Sequence, residues 1–282
     1  MKRSTMYKDH IFQEFKGRAI TLPQPFYTEG PVIDREGNLF VTNLKGGQIL
    51  KIDKNGAATE WARTTCPNGQ MINEKGDHLV CDSLEGAIKQ FDKSGRLDKI
   101  AVRGLISGYR ISCPNDLISD TNGGFFFTDS VRHCGIVGHV DRTGTARIIA
   151  KELDYPNGLA INPVRGQLYI AESYKNRILV ADLRLPGSTP EVFCDLPVNP
   201  SGKKSGNLPD GLAVDCFYNL WVAHYGMSCL WVLNDRGMCI GKYETGIPLT
   251  SNVFMNDNWL LVTGGTGEPG PGMIKIVKMR RR

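Results

Sequence analysis

Several features that mark common protein classes are missing from this sequence of 282 residues. No stretch approaches the run of about 18 apolar residues that a transmembrane helix requires, so we predict no association with a membrane. Helical periodicity is almost absent, which argues against an α-helical fold. Residues 1–17 carry positive charge but no apolar region follows them, which disfavours a secretion signal. The expected location is therefore the cytoplasm.

Motifs for several kinds of chemistry are absent as well. None of the eight cysteines forms a Cys-x-x-Cys pair, so we interpret them as structural thiols rather than zinc ligands or a disulfide framework. No Gly-x-Ser-x-Gly motif occurs and no serine or cysteine has an evident histidine partner, which disfavours a nucleophilic hydrolase. The net charge is +5, but the basic residues are scattered except at residues 279–282. We therefore expect no nucleic-acid partner.

The sequence does contain a repeat. Six segments share the order of polar residue, short apolar strand, turn with Gly or Asn, and β-rich strand, as in "YPNGLAINPVRGQLYIAES" and "PDGLAVDCFYNLWVAHYG". The residues that lead the six segments are separated by 39 to 53 positions: Glu29, Asn68, Asn115, Asn157, Asp210 and Asn252. This period is typical of β-propeller blades, and short, evenly spaced strands indicate an all-β closed fold.

The two ends of the chain support a closed arrangement. The sixth segment supplies only three clear strands, whereas the β-like run "RAITLP" at residues 18–23 precedes the first segment. Pairing this run with the last strand would cover edges that an open sheet exposes. We therefore predict a single domain over residues 1–282: an all-β, six-bladed propeller whose ring is closed by pairing of the N- and C-terminal strands.

The leading residues predict a metal site. In a propeller the innermost strands run in one direction along the central channel, so the residues that lead them crowd at one mouth. Two carboxylates there, Glu29 and Asp210, repel each other and are costly to desolvate, which a divalent cation would relieve. Asn-Gly and Asp-Gly are also common turn dipeptides, but their recurrence at one phase of the repeat favours metal binding by Glu29, Asn157 and Asp210.

The oxygen ligands indicate which ion this would be. Carboxylate and amide oxygens suit a hard cation, so we expect one divalent ion, Ca²⁺ first, with Mg²⁺, Mn²⁺, Zn²⁺ or Fe²⁺ as alternatives.

At these residues the sequence resembles the family of senescence marker protein (regucalcin), gluconolactonase and related sugar lactone lactonases. The stretches are "EGPVIDREGNLFVTN", "SCPNDLISDTNGGFFFTD" and the two quoted above, and the resemblance extends from about residue 26 to 265. It implies a six-bladed propeller that binds a divalent metal and hydrolyses aldonolactones. It also implies that Glu29, Asn157 and Asp210 are metal ligands, and that Asn115 contacts the metal, its water or the substrate. Cys113 replaces an arginine that holds the sugar in regucalcin-like members.

The functional hypothesis is hydrolysis of a small-molecule lactone. A metal-bound carbonyl is polarised for attack by water, and Asp210 is the predicted general base, with Glu29 mainly a ligand. Arg132, His133, Tyr174 and His224 are further polar candidates at the mouth.

Two alternatives stay open. One is hydrolysis of a phosphorus ester or fluoride, as in diisopropylfluorophosphatase, and the other is a non-catalytic propeller that binds a ligand. Burying two carboxylates serves no packing purpose, which argues against the second alternative.

Overall fold

The computed structural model describes residues 18–22, 27–53, 55–185, 187–202, 206–256, 259–268 and 270–278. Short antiparallel strands, numbered β1 to β26 in chain order, account for nearly all of its regular structure, beside one 3₁₀ helix at Ser173–Lys175. This part of the chain contains no helix that is both long and apolar enough to span a membrane. Residues 1–17 and 279–282 lie outside the described ranges, so the cytoplasmic location stays a prediction.

Four segments of the repeat form separate four-stranded antiparallel sheets. The first contains β2 (Thr28–Ile33), β3 (Leu39–Asn43), β4 (Gln48–Ile52) and β5 (Ala58–Arg63), and the second β6 (Pro67–Ile72), β7 (His78–Asp82), β8 (Ala87–Phe91) and β9 (Leu97–Arg103). The third contains β12 (Pro114–Ser119), β13 (Phe125–Asp129), β14 (Gly135–Val140) and β15 (Ala146–Leu153), and the fourth β16 (Pro156–Asn162), β17 (Gln167–Glu172), β18 (Arg177–Asp182) and β19 (Glu191–Asp195). A short hairpin of β10 (Leu105–Ile106) and β11 (Tyr109–Arg110) precedes the third sheet.

The remaining strands form one eight-stranded sheet. It contains β20 (Leu208–Val214), β21 (Leu220–Tyr225), β22 (Cys229–Leu233), β23 (Cys239–Glu244), β24 (Leu249–Met255), β25 (Trp259–Gly265), β26 (Gly272–Lys278) and β1 (Arg18–Leu22). The predicted pairing of the chain ends is present, because β1 lies antiparallel to β26 with Ile20 opposite Ile274.

The architecture is an all-β propeller, but its sheets divide into four separate blades and one larger sheet, and not into the six blades predicted from the sequence. Four blades are separate sheets, and the strands assigned to the fifth and sixth are joined by one backbone pair, Tyr225 with Leu249. The reason is that β21 and β24 come close enough at their ends to share hydrogen bonds. Within the described ranges no sheet closes on itself.

The hydrophobic core lies between neighbouring sheets. In one cluster Leu79 and Ile88 of the second sheet pack with Phe127 and Ile136 of the third. Four other clusters also combine strands of adjacent sheets, and one lies within the eight-stranded sheet. This face-to-face burial of apolar residues positions the innermost strands around a common centre.

A β-bulge marks the start of every innermost strand. The pairing register of β2, β6, β12, β16, β20 and β24 shifts at or beside the leading residue of the segment. The Asn-Gly and Asp-Gly dipeptides therefore lie inside strands and not in hairpin turns. A bulge adds an unpaired residue and redirects its side chain, which is why such features are common beside binding sites.

The glycine after a leading residue is required by the closeness of the next strand. A Cβ atom added to Gly158 would lie 2.2 Å from the carbonyl oxygen of Asp210, and one added to Gly211 would lie 2.3 Å from Oδ1 of Asn252. Neither distance is compatible with a side chain. The bulges of neighbouring innermost strands are therefore in direct contact.

Serine hydroxyls connect successive blades at the same level. Ser83 donates to the carbonyl oxygen of Pro114 at 2.7 Å, Ser130 to that of Pro156 at 2.5 Å, and Ser173 to that of Pro209 at 2.7 Å. Each proline precedes a leading residue, so these hydrogen bonds fix the backbone from which Asn115, Asn157 and Asp210 project. The side chains at the centre are thus held by the neighbouring blade.

We predict that Ser173→Ala lowers the free energy of unfolding by about 1 to 3 kcal/mol, because it leaves the buried Pro209 carbonyl without its donor and the Asn157 amide without its acceptor. Urea denaturation would measure the change. The control is Ser119→Ala, at an exposed position, which should change the unfolding free energy by less than about 0.5 kcal/mol. Equal changes in unfolding free energy for the two substitutions would show that the hydrogen bonds of the Ser173 hydroxyl do not stabilise the fold.

Candidate functional site

The structure brings the predicted metal ligands together at the level of the bulges. Asn157 is hydrogen bonded to Asp210, and its Nδ2 also donates to Oγ of Ser173 at 3.3 Å. From the strand beside that of Asp210, Nδ2 of Asn252 donates to Oε2 of Glu29 at 3.2 Å. Glu29 and Asn157 are buried, and Asp210 is largely buried. The arrangement places two acids and two amides around a shared centre.

The two predicted acids influence each other. Burial and then the charge of Glu29 raise the pKa of Asp210 far above its usual value, against the hydrogen bond from Asn157. Burial also raises the pKa of Glu29, although Asn252 donates a hydrogen bond to it. Each carboxylate is therefore costly to ionise in the protein alone, because it lies in a poorly solvated place beside a like charge.

A third carboxylate, Asp116, belongs to the same group, and sequence reasoning missed it. Its charge raises the pKa values of both Glu29 and Asp210, and burial raises its own pKa to about 6. Oδ2 of Asp116 accepts a hydrogen bond from the backbone nitrogen of Leu159 at 2.9 Å. A signal was present, because Asp116 stands where four other segments have glycine. Only at this bulge does the residue after the leading position add a charge to the centre.

The charge of these three acids is not compensated by protein groups. None of the ion pairs among the described residues involves Glu29, Asp116 or Asp210. Within the same ranges, no three His, Cys, Asp or Glu side chains are arranged to hold a metal ion by themselves. Amide oxygens would therefore have to complete the coordination. Buried, uncompensated carboxylates beside asparagine oxygens fit a hard divalent cation.

Asn115, the predicted substrate contact, differs from the other leading asparagines. It is buried, yet its side chain makes no hydrogen bond to any residue that the structure describes. Asn68, Asn157 and Asn252 each donate one through Nδ2. The carboxamide of Asn115 is thus the one that remains available to a ligand at the centre.

The wall of the mouth was not predicted from the sequence. Burial and then the charges of Glu29 and Asp210 raise the pKa of Tyr27, which places its ring beside these acids. Tyr155 also has a raised pKa, through burial and the nearby groups of Cys113 and Asp210. The sequence repeat could have indicated that both tyrosines lie at the mouth, because each stands two positions before the leading residue of its segment. Cys113 has the same phase, and burial and Asp129 raise the pKa of its thiol to about 11.

The other polar candidates separate into two groups. Arg132, His133 and Tyr174 are exposed at the loops that follow β13 and β17. His224 is fully buried, and its Nδ1 accepts a hydrogen bond from Nε1 of Trp231 at 2.8 Å. Burial lowers the pKa of His224 to about 4, so the ring is neutral at physiological pH. His224 therefore belongs to the packing of its blade.

The same motifs match known proteins. Residues 27–265 match the family model described as SMP-30/Gluconolactonase/LRE-like region. The lactonase drp35 of Staphylococcus haemolyticus is 29% identical over 227 residues, which cover 76% of this chain and 68% of that protein.

Solved structures agree at the level of the fold. A gluconolactonase from Xanthomonas campestris superposes with a TM-score of 0.78 and 23% identity, covering 94% of this chain and 90% of the other. A regucalcin from Agrobacterium tumefaciens, described as a calcium-binding protein, superposes with a TM-score of 0.71 and 19% identity, covering 93% of each chain.

The uncompensated acids predict an unusual pH dependence for the metal-free protein. A carboxyl whose pKa is raised on folding keeps a proton that the unfolded chain releases, so its contribution destabilises the fold as pH rises. For Asp116 this loss extends from about pH 4, the usual aspartate pKa, to about pH 6. Asp116→Asn should therefore stabilise metal-free protein by on the order of 1 to 3 kcal/mol at neutral pH and hardly at all below about pH 4.

The measurement is urea denaturation in the presence of a chelator at several pH values. Asp195→Asn is the control, because this carboxylate is exposed and its removal should give no pH-dependent gain. A stability difference between Asp116→Asn and wild type that stays constant from pH 4 to pH 8 would contradict the prediction.

Proposed function

Because the chain belongs to the SMP-30/gluconolactonase/LRE-like family, we propose that it is a metal-dependent hydrolase that opens a sugar lactone to its acid. The observation that carries the proposal is the group of Glu29, Asp116 and Asp210, which gathers buried carboxylates at the centre of a propeller without an ion pair. Packing alone gives no reason to keep such a group. The substrate class and the metal are inferred from the relatives, which include a lactonase and a calcium-binding protein.

We further infer that residues 1–282 act as one six-bladed domain. Each half of the eight-stranded sheet has four strands, like the four separate blades: one half is the meander β20 to β23, and the other is β24 to β26 with β1 as its fourth strand. A single backbone pair joins the halves. The hydrogen bonds of Asn252 to Glu29 and of Ser251 to the carbonyl oxygen of Thr28 connect β24 to β2, so the last innermost strand adjoins the first. Both observations support six blades around the site.

In this proposal Glu29, Asn157 and Asp210 hold the cation, and Asn115 contacts the substrate. The Nδ2 group of Asn157 donates to Ser173, which leaves its Oδ1 as a possible ligand. A bound divalent cation would polarise the lactone carbonyl as a Lewis acid and stabilise the negative charge that develops on it. Asp116 would add negative charge beside the ligands without being one of them. This raises the affinity of the site for cations.

Asp210 acts as the general base in the same proposal. Its carboxylate accepts a proton from a water molecule, whose oxygen forms a bond to the carbonyl carbon of the lactone. The bond between this carbon and the ring oxygen then breaks, and the proton on Asp210 passes to the ring oxygen. Coordination to the cation makes this carboxylate a weaker base than a free one, while burial and the charge of Glu29 act in the opposite direction and raise the pKa of Asp210.

We expect the purified protein to hydrolyse aldonolactones, to lose this activity when treated with a chelator, and to regain it with Ca²⁺. Acid release from a panel of lactones, with elemental analysis of the protein, is the measurement. Turnover of phosphotriesters with none of any lactone would favour the diisopropylfluorophosphatase-like alternative. Stoichiometric Ca²⁺ binding without any hydrolysis would favour a ligand-binding propeller.

Asp210→Asn should lower kcat at saturating Ca²⁺ by at least about 10² to 10⁴, because it removes the proton acceptor and one negative charge from the site. Asparagine keeps the size and one carbonyl oxygen, so thermal unfolding should still be cooperative. The exposed Asp195→Asn is the matched control and should keep the wild-type rate. If Asp210→Asn turns over lactone near the wild-type rate, Asp210 is not the base.

A further inference from the structure

The loop after β13 lies between two of the segments that lead to the site. The backbone nitrogen of Ser130 donates to the carbonyl oxygen of Cys113 at 2.8 Å, and its Oγ donates to the carbonyl oxygen of Pro156 at 2.5 Å. Cys113 and Pro156 stand two residues and one residue before Asn115 and Asn157. Arg132 follows two residues after Ser130, so it projects from the part of the rim between these two segments.

The guanidinium group of Arg132 is held in one orientation. Its Nε donates to Oδ1 of Asp154 at 2.6 Å, and its central carbon lies 3.6 Å from the centroid of the Tyr174 ring. Tyr174 in turn packs edge to face against Tyr155, with ring centroids 5.4 Å apart. Burial raises the pKa of Tyr155 and the charge of Asp210 contributes to the rise, so Tyr155 lies near the candidate site. A chain of stacked groups thus connects the guanidinium with the candidate site.

Arg132 remains accessible in this position. Its side chain is 45% exposed, whereas that of Asp154 is only 9% exposed. Asp154 therefore fixes the arginine from the protein side and leaves the outer part of the guanidinium facing solvent. A fixed, stacked guanidinium loses little entropy when it binds a ligand, and its planar donors match the two oxygens of a carboxylate.

The side chains two positions before the leading residues are uncharged. The side chains two positions before them are Tyr27, Cys66, Cys113, Tyr155, Leu208 and Thr250. None of these would pair with a charged substituent of a substrate. A charged substituent would therefore need a partner beyond these six positions, and Arg132 lies further out at the rim.

We propose that Arg132, stacked on Tyr174, forms a subsite for a carboxylate substituent of the lactone. This inference rests on the proposed lactonase function and specifies its substrate class. The buried acids repel an anionic substituent from the centre while Arg132 attracts it at the rim, so the lactone carbonyl points inward and the carboxylate outward. Arg132 is thus a residue that determines specificity, and Asp154 and Tyr174 position it.

The test compares two substrates that differ only in this group, γ-butyrolactone-γ-carboxylate and its uncharged parent γ-butyrolactone. The variants are Arg132→Gln, Arg132→Lys and, as a matched control, Arg142→Gln. Arg142 is exposed in the turn at the far end of the same sheet. All are assayed with saturating Ca²⁺, and cooperative thermal unfolding is checked for each.

Wild type should prefer the carboxylate lactone, and Arg132→Gln should lower kcat/KM for it by about 10- to 100-fold, mainly through KM, as expected for loss of a charge-assisted pair. The fall for the parent lactone should be at least ten times smaller. Arg132→Lys should recover part of the preference, because it keeps the charge but not the planar donors or the stacking. Arg142→Gln should behave as wild type.

A second readout needs no turnover. Calorimetry with tetrahydrofuran-2-carboxylate, which has the ring and carboxylate but no lactone carbonyl, should show binding to wild type and none to Arg132→Gln. This result without hydrolysis of any lactone would support the subsite and reject the lactonase proposal. Equal losses for both lactones in Arg132→Gln, no preference in wild type, or undiminished binding of the analogue to Arg132→Gln would each overturn the subsite.

Discussion

The rest of the structure depends on the close approach of six innermost strands at their bulges. The strands are so close that Gly158 and Gly211 have no space for a side chain. The same closeness gathers the residues that lead them, which come from segments 39 to 53 positions apart in the chain. Two of the gathered residues, Glu29 and Asp210, are acids, and Asp116 beside Asn115 is a third. In addition to burial, the charge of Asp116 raises the pKa values of both leading acids, and that of Glu29 also raises the pKa of Asp210. The packing of the blades therefore creates the electrostatic cost that a bound cation would remove.

The repeat also contains carboxylates that are paired with donors and a basic side chain. They differ from the central carboxylates, which have no ion-pair partner in the described part of the chain. Asp82 accepts hydrogen bonds from the backbone nitrogens of Thr65 and Cys66 and pairs with Lys89 at 2.9 Å. Despite its burial, these donors lower its pKa. Asp82 is the last residue of β7, the second strand of its blade. There, loop N–H groups donate hydrogen bonds to its carboxylate and the ammonium group of Lys89 neutralises it. Asp116 is partly buried and receives only backbone hydrogen bonds, so desolvation raises its pKa.

Much of the architecture was accessible from the sequence because it is carried by local patterns repeated many times. The short strands, the phase of the leading residues and the pairing of "RAITLP" with the last strand all follow from alternation and spacing. The joining of β21 to β24 did not, since a single pair between Tyr225 and Leu249 leaves no periodic signal. His224 lies one residue before the end of β21, near the level of the site, yet its ring is fully buried and accepts a hydrogen bond from Trp231 of the same blade.

The sequence by itself determined which residues share a phase, because the period of the repeat assigns Glu29, Asn157 and Asp210 to the same level of the propeller. It also determined that the strands are short and evenly spaced and that the fold is all-β. Only the tertiary structure decided which charges act together, because the distance between two strands, and not the spacing along either, sets an electrostatic interaction. Asp116 joined the central acids, and Arg132 came to lie on Tyr174, through contacts between neighbouring blades that no segment of the sequence contains.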